Sequence, residues 1–239
     1  MLKFKEDGYL EEGTYTFEGV DFEVRVEKIL PVGLTNVRTL KAYEPIGVTI
    51  HNTGNPTATA MNHYSYFNRL EIEDIEYVGV PFFIDGKTIV QLSPLCEVTY
   101  HAGTSEGNYN YVGLEICEIG DVDKAETIAA YLAASILVHL DEYKITKHQD
   151  FNGKYCPRII LKEGRWDEYK FRIKNIVDGY TDLEHWMLEG YEYMGGKGFI
   201  EPDYWASRLT KPMPAWAVLQ IFKNVIEGLE LAPNKKGGE

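Results

Sequence analysis

The sequence has no basic excess: 24 Lys+Arg stand against 37 Asp+Glu, a formal charge of −13 over 239 residues. A chain this acidic collects no phosphate charge, which excludes a general nucleic-acid binder or a protein that coats anionic membrane. It also lacks any run approaching the ~18 uninterrupted apolar residues of a spanning helix, so no membrane insertion is expected. The segment Met1 to Gly13 has two lysines but no apolar stretch and no small-residue cleavage site. No secretory signal is read there, and synthesis and initial retention in the cytoplasm is the expectation. Cysteine is scarce: Cys96, Cys117 and Cys156 make an odd count without tight spacing, which excludes a disulfide framework and implies reduced thiols. No long repeat or low-complexity tract interrupts the chain.

What is present is enough apolar material, 44% of residues, for a sizeable core in one large domain, or in one domain plus a small module. Residues 1–45 read as β-type material and loop, with Tyr15, Phe17, Val20, Phe22, Val24 and Val26 mostly at period two. Gly47 to Ile50 is a short strand ending at His51, followed by the turn cluster Asn52 to Pro56, whose proline is placed to open a helix over 57–70. Val78 to Ile84 and Thr88 to Leu92 flank Asp85-Gly86, which reads as a type I′ hairpin turn. Tyr111 to Glu118 is a further strand. Lys124 to Tyr143 carries Ala125, Ile128, Ala129, Leu132, Ile136 and Leu140 at helical spacing. A loop with His148 and Cys156 follows, and then a helix over Arg165 to Val177. The order predicts an α/β fold, a mixed central β-sheet flanked by helices. The character changes at Asp178-Gly179, and short helical stretches follow at about 181–193, 203–210 and 214–229. The division expected is a catalytic domain at 1–179 and a small helical C-terminal segment at 180–239.

Of the six histidines, His139, His63 and His185 sit in helical or aromatic-rich stretches and read as packing residues. His51, His101 and His148 fall at strand ends or in Gly/Asn-rich loops, where side chains converge above a rigid sheet. His148 and Cys156 lie eight residues apart in one loop. With His51 they form a His, His, Cys set that suits zinc with an open fourth position, although the spacing alone also fits ordinary loop residues.

The order of Ile50-His51-Asn52-Thr53, Tyr100-His101-Ala102-Gly103, Gly113-Leu114-Glu115-Ile116-Cys117 and His148…Lys154-Tyr155-Cys156-Pro157 resembles the zinc N-acetylmuramoyl-L-alanine amidases. That family includes phage lysozyme-type amidases, endolysins and peptidoglycan recognition proteins, and the resemblance covers about residues 45–178. It implies His51, His148 and Cys156 as Zn2+ ligands, Glu115 as catalytic acid/base, and Lys154 as the basic residue beside the metal. It further implies His101, Asn52 and Thr53 at the substrate cleft. Where many relatives carry a Tyr-His pair, this chain reads Gly79-Val80-Pro81-Phe82, so help from a tyrosine would have to come from Tyr77 or Tyr100. By alternation Glu115 shares a face with Tyr111, Gly113 and Cys117, which fits either an inner site or solvent. Lys154 fits either a site residue or a solvated loop lysine. Cys96 and Cys117 read as small core residues.

In the tail, Pro214-Ala215-Trp216-Ala217 onward is weakly similar to surface-layer-type wall-anchoring segments. A wall-binding module and a helical extension packed on the catalytic domain both fit 180–239. The resemblance implies a phage or prophage endolysin that cuts the amide between N-acetylmuramic acid and L-alanine, with bacterial peptidoglycan as its partner. A cytoplasmic amidase that recycles muropeptides is the alternative enzyme, and a non-catalytic peptidoglycan-binding module is the alternative from another class. Retention of Cys156 counts against the last.

Overall fold

The computed structural model describes residues 1–31, 37–73 and 78–179. Among these, seven strands form one mixed sheet: β1 (Gly13–Phe17), β2 (Val20–Val26), β3 (Gly47–Asn52), β4 (Phe82–Ile84), β5 (Thr88–Gln91), β6 (Val112–Ile116) and β7 (Lys144–Lys147). Their spatial order is β1-β2-β5-β4-β6-β3-β7. The β1–β2 and β4–β5 pairs are antiparallel, while β2–β5, β4–β6, β6–β3 and β3–β7 are parallel. The helices are α1 (Ala60–Glu73), α2 (Ser105–Asn110), α3 (Val122–Leu140), α4 (Gln149–Asn152), α5 (Arg158–Lys162) and α6 (Trp166–Val177). They make the expected α/β sheet flanked by helices, within the compact unit Met1–Val177. The helical stretches expected beyond residue 180 lie outside the described residues.

Two apolar layers follow from alternation along the strands. Val48 and Ile50 of β3, Leu114 and Ile116 of β6, and Phe82 and Ile84 of β4 pack against α3, whose Ala125, Ala129, Ala130, Ala133 and Ala134 are small enough for close approach. Tyr169, Ile173 and Ile176 of α6 complete this core. On the opposite face Phe83, Val90 and Leu92 meet Ala60, Phe67 and Leu70 of α1, with buried Cys117 among them. Helix α1 packs on β4 and β5. The alternate residues Thr49, His51, Gly113 and Glu115 also project to this face.

Local chemistry shifts several boundaries from their expected places. Helix α1 starts at Ala60 instead of 57. Thr59 Oγ1 accepts from the Asn62 amide (3.1 Å) while Asn62 Oδ1 accepts from the Thr59 amide (3.0 Å), a reciprocal cap that fixes the first turn. The Asp85 carboxylate accepts from the Ala60 amide at the same helix end (3.0 Å) and from Lys87 N (2.9 Å). This Asx geometry corrects the type I′ expectation, because neither Asp85 nor Gly86 has positive φ. A side chain at Gly86 would instead meet the Asp121 carbonyl, with Cβ at 3.0 Å. The turn with two positive φ values is Glu18-Gly19 (47° and 72°), between the paired residues Phe17 and Val20. Helix α3 ends at Leu140 because Asp141 adopts the left-handed conformation (φ 55°) and its amide closes on Leu137 and Val138 carbonyls. Strand β7 and helix α2 had no clear signal in the sequence. Cys96 is exposed, which corrects its reading as a core residue.

A buried ion pair ties the N-terminal segment to the loop after β5. Arg38 binds Glu97 through two parallel bonds (2.9 and 2.8 Å), and both side chains are under a tenth exposed. The Arg38 amide also donates to Glu71 of α1 (3.1 Å).

Candidate metal centre and catalytic cleft

The parallel register of β3 and β6 sets His51 directly beside Glu115. Strand β7 pairs with β3 on its other side and delivers His148 immediately after its last residue. The chain returns through α4 to Cys156, held by the Gln149 amide donating to the Cys156 carbonyl (3.1 Å). His51, His148 and Cys156 are thereby brought together, all buried, with their ligand atoms within 4.8 Å of one another. His148 Nδ1 lies 3.1 Å from His51 Nδ1, and Cys156 Sγ lies 3.8 Å from that same nitrogen.

The donor atoms suit a divalent metal. Tetrahedral ligands about 2.0–2.3 Å from one ion stand roughly 3.3–3.8 Å apart, which is close to these separations. Hydrogen bonding also exposes the correct lone pair on His51. The Tyr111 carbonyl can only accept, so His101 donates from Nε2 (3.0 Å) and its Nδ1 is an acceptor. His51 must then donate from Nε2 to His101 Nδ1 (3.0 Å), leaving His51 Nδ1 unprotonated toward His148 and Cys156. Burial holds the three imidazoles below their ordinary pKa, His101 and His148 at about 4, so they are neutral near pH 7. Burial pushes the Cys156 thiol up to about 11, a cost that a bound cation would reverse.

Two residues expected at the substrate cleft have other positions. His101 lies behind His51, bonded at both ring nitrogens, and fits against the strand because residue 113 is glycine. A Cβ at Gly113 would come within 2.8 Å of the His101 ring. Asn52 is buried: its Oδ1 accepts from Ile159 N (3.1 Å) and its amide points to Cys156 Sγ (3.4 Å). Both residues are thus held against His51 and Cys156. Glu118 supports the same loop by accepting from Gly54 N (3.1 Å) and pairing with both arms of Arg158. Asn152 reaches His148 Nε2 (3.1 Å) and the Ala102 carbonyl (3.2 Å). None of these supports was legible from spacing, because each depends on chain segments tens of residues apart.

Glu115 Oε1 is 3.9 Å from His51 Nδ1, and its buried Oε2 has no hydrogen-bond partner among the described residues. Burial raises its pKa to about 7 despite the opposing charge of Lys154. Lys154 itself is exposed, yet its charge also acts on His51, His148 and Cys156. Glu115 opens onto a cleft of about 430 Å³ whose walls include Thr53, Asn55, Asn62, His63 and Tyr66. Thr53 lines this cleft, and so does His63, read as a packing residue. The Tyr100 hydroxyl is 3.0 Å from Lys41 Nζ, and Tyr77 lies outside the described residues.

The signs of these shifts give a testable acid response for the metal-free protein. A depressed histidine pKa contributes stability that is present above about 6.5 and lost as pH falls through about 4. Glu115 has the opposite sign, contributing most below its ordinary 4.5 and losing that contribution as pH rises through about 7. Three imidazoles outnumber one carboxyl, so chelator-treated protein is expected to lose on the order of a few kcal/mol between pH 7 and 4. Urea melts at pH 7, 5.5 and 4 measure it, and an unchanged midpoint would contradict the neutral-imidazole assignment.

The sequence profile described as N-acetylmuramoyl-L-alanine amidase matches residues 41–159. Among curated proteins, the N-acetylmuramoyl-L-alanine amidase XlyB of Bacillus subtilis (strain 168) is 35% identical over 141 residues, covering 55% of this chain and 43% of its own. The amidase CwlA of the same organism is 36% identical over 138 residues, covering 53% of this chain and 48% of its own. The chain thus spans under half the length of these two relatives. The solved catalytic domain of XlyA is similar with a TM-score of 0.57 and 32% identity, over 63% of this chain and 98% of that domain.

Proposed function

We propose that this chain, which belongs to the N-acetylmuramoyl-L-alanine amidase family, is a phage or prophage endolysin that hydrolyses the amide between N-acetylmuramic acid and L-alanine in bacterial peptidoglycan. The observation that carries this reading is the convergence of His51, His148 and Cys156 beside Glu115, whose Oε2 has no partner among the described residues and which lines a cleft. In this reading those three residues hold Zn2+, which when bound supplies Lewis acidity toward the scissile carbonyl and lowers the pKa of water.

The remaining steps belong to the chain. Glu115 takes a proton from the attacking water and returns it to the leaving nitrogen, a task suited to a carboxyl whose pKa lies near 7. Lys154 offers positive charge to the developing oxyanion. His101 keeps the His51 lone pair aimed inward by bridging its ring to the Tyr111 carbonyl. Asn52 and Glu118 fix the loop that carries Cys156.

The test is digestion of purified cell wall by the full chain and by a chain ending at Gly179. The full chain should release amino groups without new reducing sugars, whereas reducing ends would indicate a glycosidase and end the amidase reading. The shorter chain retains every residue of the proposed site. It should cleave soluble muropeptides at the parental rate but bind walls less well if 180–239 tethers the enzyme to its insoluble substrate. Equal loss on soluble and insoluble substrates would make the tail a packing extension.

A further inference from the structure

We propose that the cleft between Glu115 and α1 is the subsite for the uncharged N-acetylated sugar of the substrate, with His63 Nε2 as a hydrogen-bond partner of that sugar. The inference rests on the amidase reading and specifies which side of the scissile bond lies over α1. Phe83 is the cross-strand partner of Glu115, so the two share a face and Phe83 floors the cleft. The His63 ring stacks on Phe83 with centroids 4.6 Å apart and planes within 3°. That stacking fixes the imidazole edge, and its buried Nε2 has no partner among the described residues. An unsatisfied buried ring nitrogen is costly unless a ligand group meets it.

The chemistry of the walls selects the ligand. Among the described residues, no carboxylate, lysine or arginine other than Glu115 lines the cleft; its polar surface comes from Thr53, Asn55, Asn62, His63 and Tyr66. The Oδ1 atoms of Asn55 and Asn62 are engaged by Thr57 and Thr59, which leaves their amide N–H groups as donors. Tyr66 is 42% exposed and presents an aromatic surface. A stem peptide carries free carboxylates and amines that call for charged partners. An N-acetylated sugar presents hydroxyls, a neutral amide and an apolar ring face, which match neutral donors and aromatic rings. Burial also keeps His63 below its ordinary pKa, so at pH 7 its ring is neutral, with one donor and one acceptor nitrogen.

The test measures binding of the disaccharide N-acetylglucosaminyl-N-acetylmuramic acid, its lactyl carboxyl capped as the N-methylamide so that the probe is uncharged, to the purified full chain, by calorimetry and by NMR of the His63 ring, beside hydrolysis kinetics. His63→Phe preserves the stack on Phe83 and removes the nitrogen, while His63→Gln restores a donor. His63→Phe should weaken disaccharide binding about tenfold, the size of one net hydrogen bond, and raise KM equally for a disaccharide-peptide. Its kcat, metal content and KM for a sugar-free lactyl-peptide should stay at parental values, and His63→Gln should recover most of the affinity. Unchanged disaccharide affinity in His63→Phe, no disaccharide binding by the parent, or an equal KM rise on the sugar-free peptide would overturn the assignment. A parent that binds the disaccharide yet hydrolyses nothing would sink the amidase reading and leave the sugar site standing.

Discussion

Cys156→Ala is expected to purify without the zinc proposed for the parent and to lose wall hydrolysis by about a thousandfold or more. The size follows from the several kcal/mol of charge stabilisation that a metal supplies at a polarised carbonyl, at ~1.4 kcal/mol per decade of rate. Cys156 is the one anionic donor of the set, and its burial makes the thiolate costly without a cation. The two imidazoles left behind would face each other at 3.1 Å with no counter-charge. The fold should survive, because Asn52 still accepts from Ile159 and Glu118 still holds Arg158 when the sulfur is gone. Circular dichroism and elemental analysis on the same sample separate these effects. Full zinc occupancy in a folded Cys156→Ala protein would refute the ligand assignment.

Glu115→Gln should keep the fold and the proposed zinc but lose kcat by two to four orders of magnitude, about the range for a positioned acid/base. Glutamine retains the shape of the side chain, so β6 and its pairing with β3 and β4 are undisturbed. It cannot accept and return a proton. The acid limb of the parent's pH–rate profile should vanish from the residual activity of the variant. A Glu115→Gln enzyme that lyses walls at the parental rate would move the proton transfer to another group.

The central layers of this fold are written into the sequence because they rest on periodicity. Ala125 to Leu140 repeats at helical spacing and lies as a helix between the sheet and α6. Strand β7 is not legible in the sequence because Lys144-Ile145-Thr146-Lys147 holds a single apolar residue, and its place comes from pairing with β3. The site divides in the same way. His51, His148 and Cys156 are visible as residue types in order along the chain. The roles of His101, Asn52 and Gly113 follow from a carbonyl, a loop amide and a close approach that only the fold creates. His63 reads as helix packing because a stacked imidazole and a buried one share the same local pattern, and only its neighbour Phe83 places it at the cleft.

The ladder between β3 and β6 limits how this chain can be re-engineered. Because His51 pairs with Glu115 in a two-residue repeat, the separation of the Glu115 carboxylate and the His51 imidazole cannot be tuned in small increments. A single-residue insertion upstream in β6 would turn Glu115 toward the alanine-rich face of α3 and present Leu114 to His51. Length changes there act as an on–off choice, whereas loops such as Gly54 to Thr57, whose backbone the ladder does not index, are the places where the reach of the cleft can be graded.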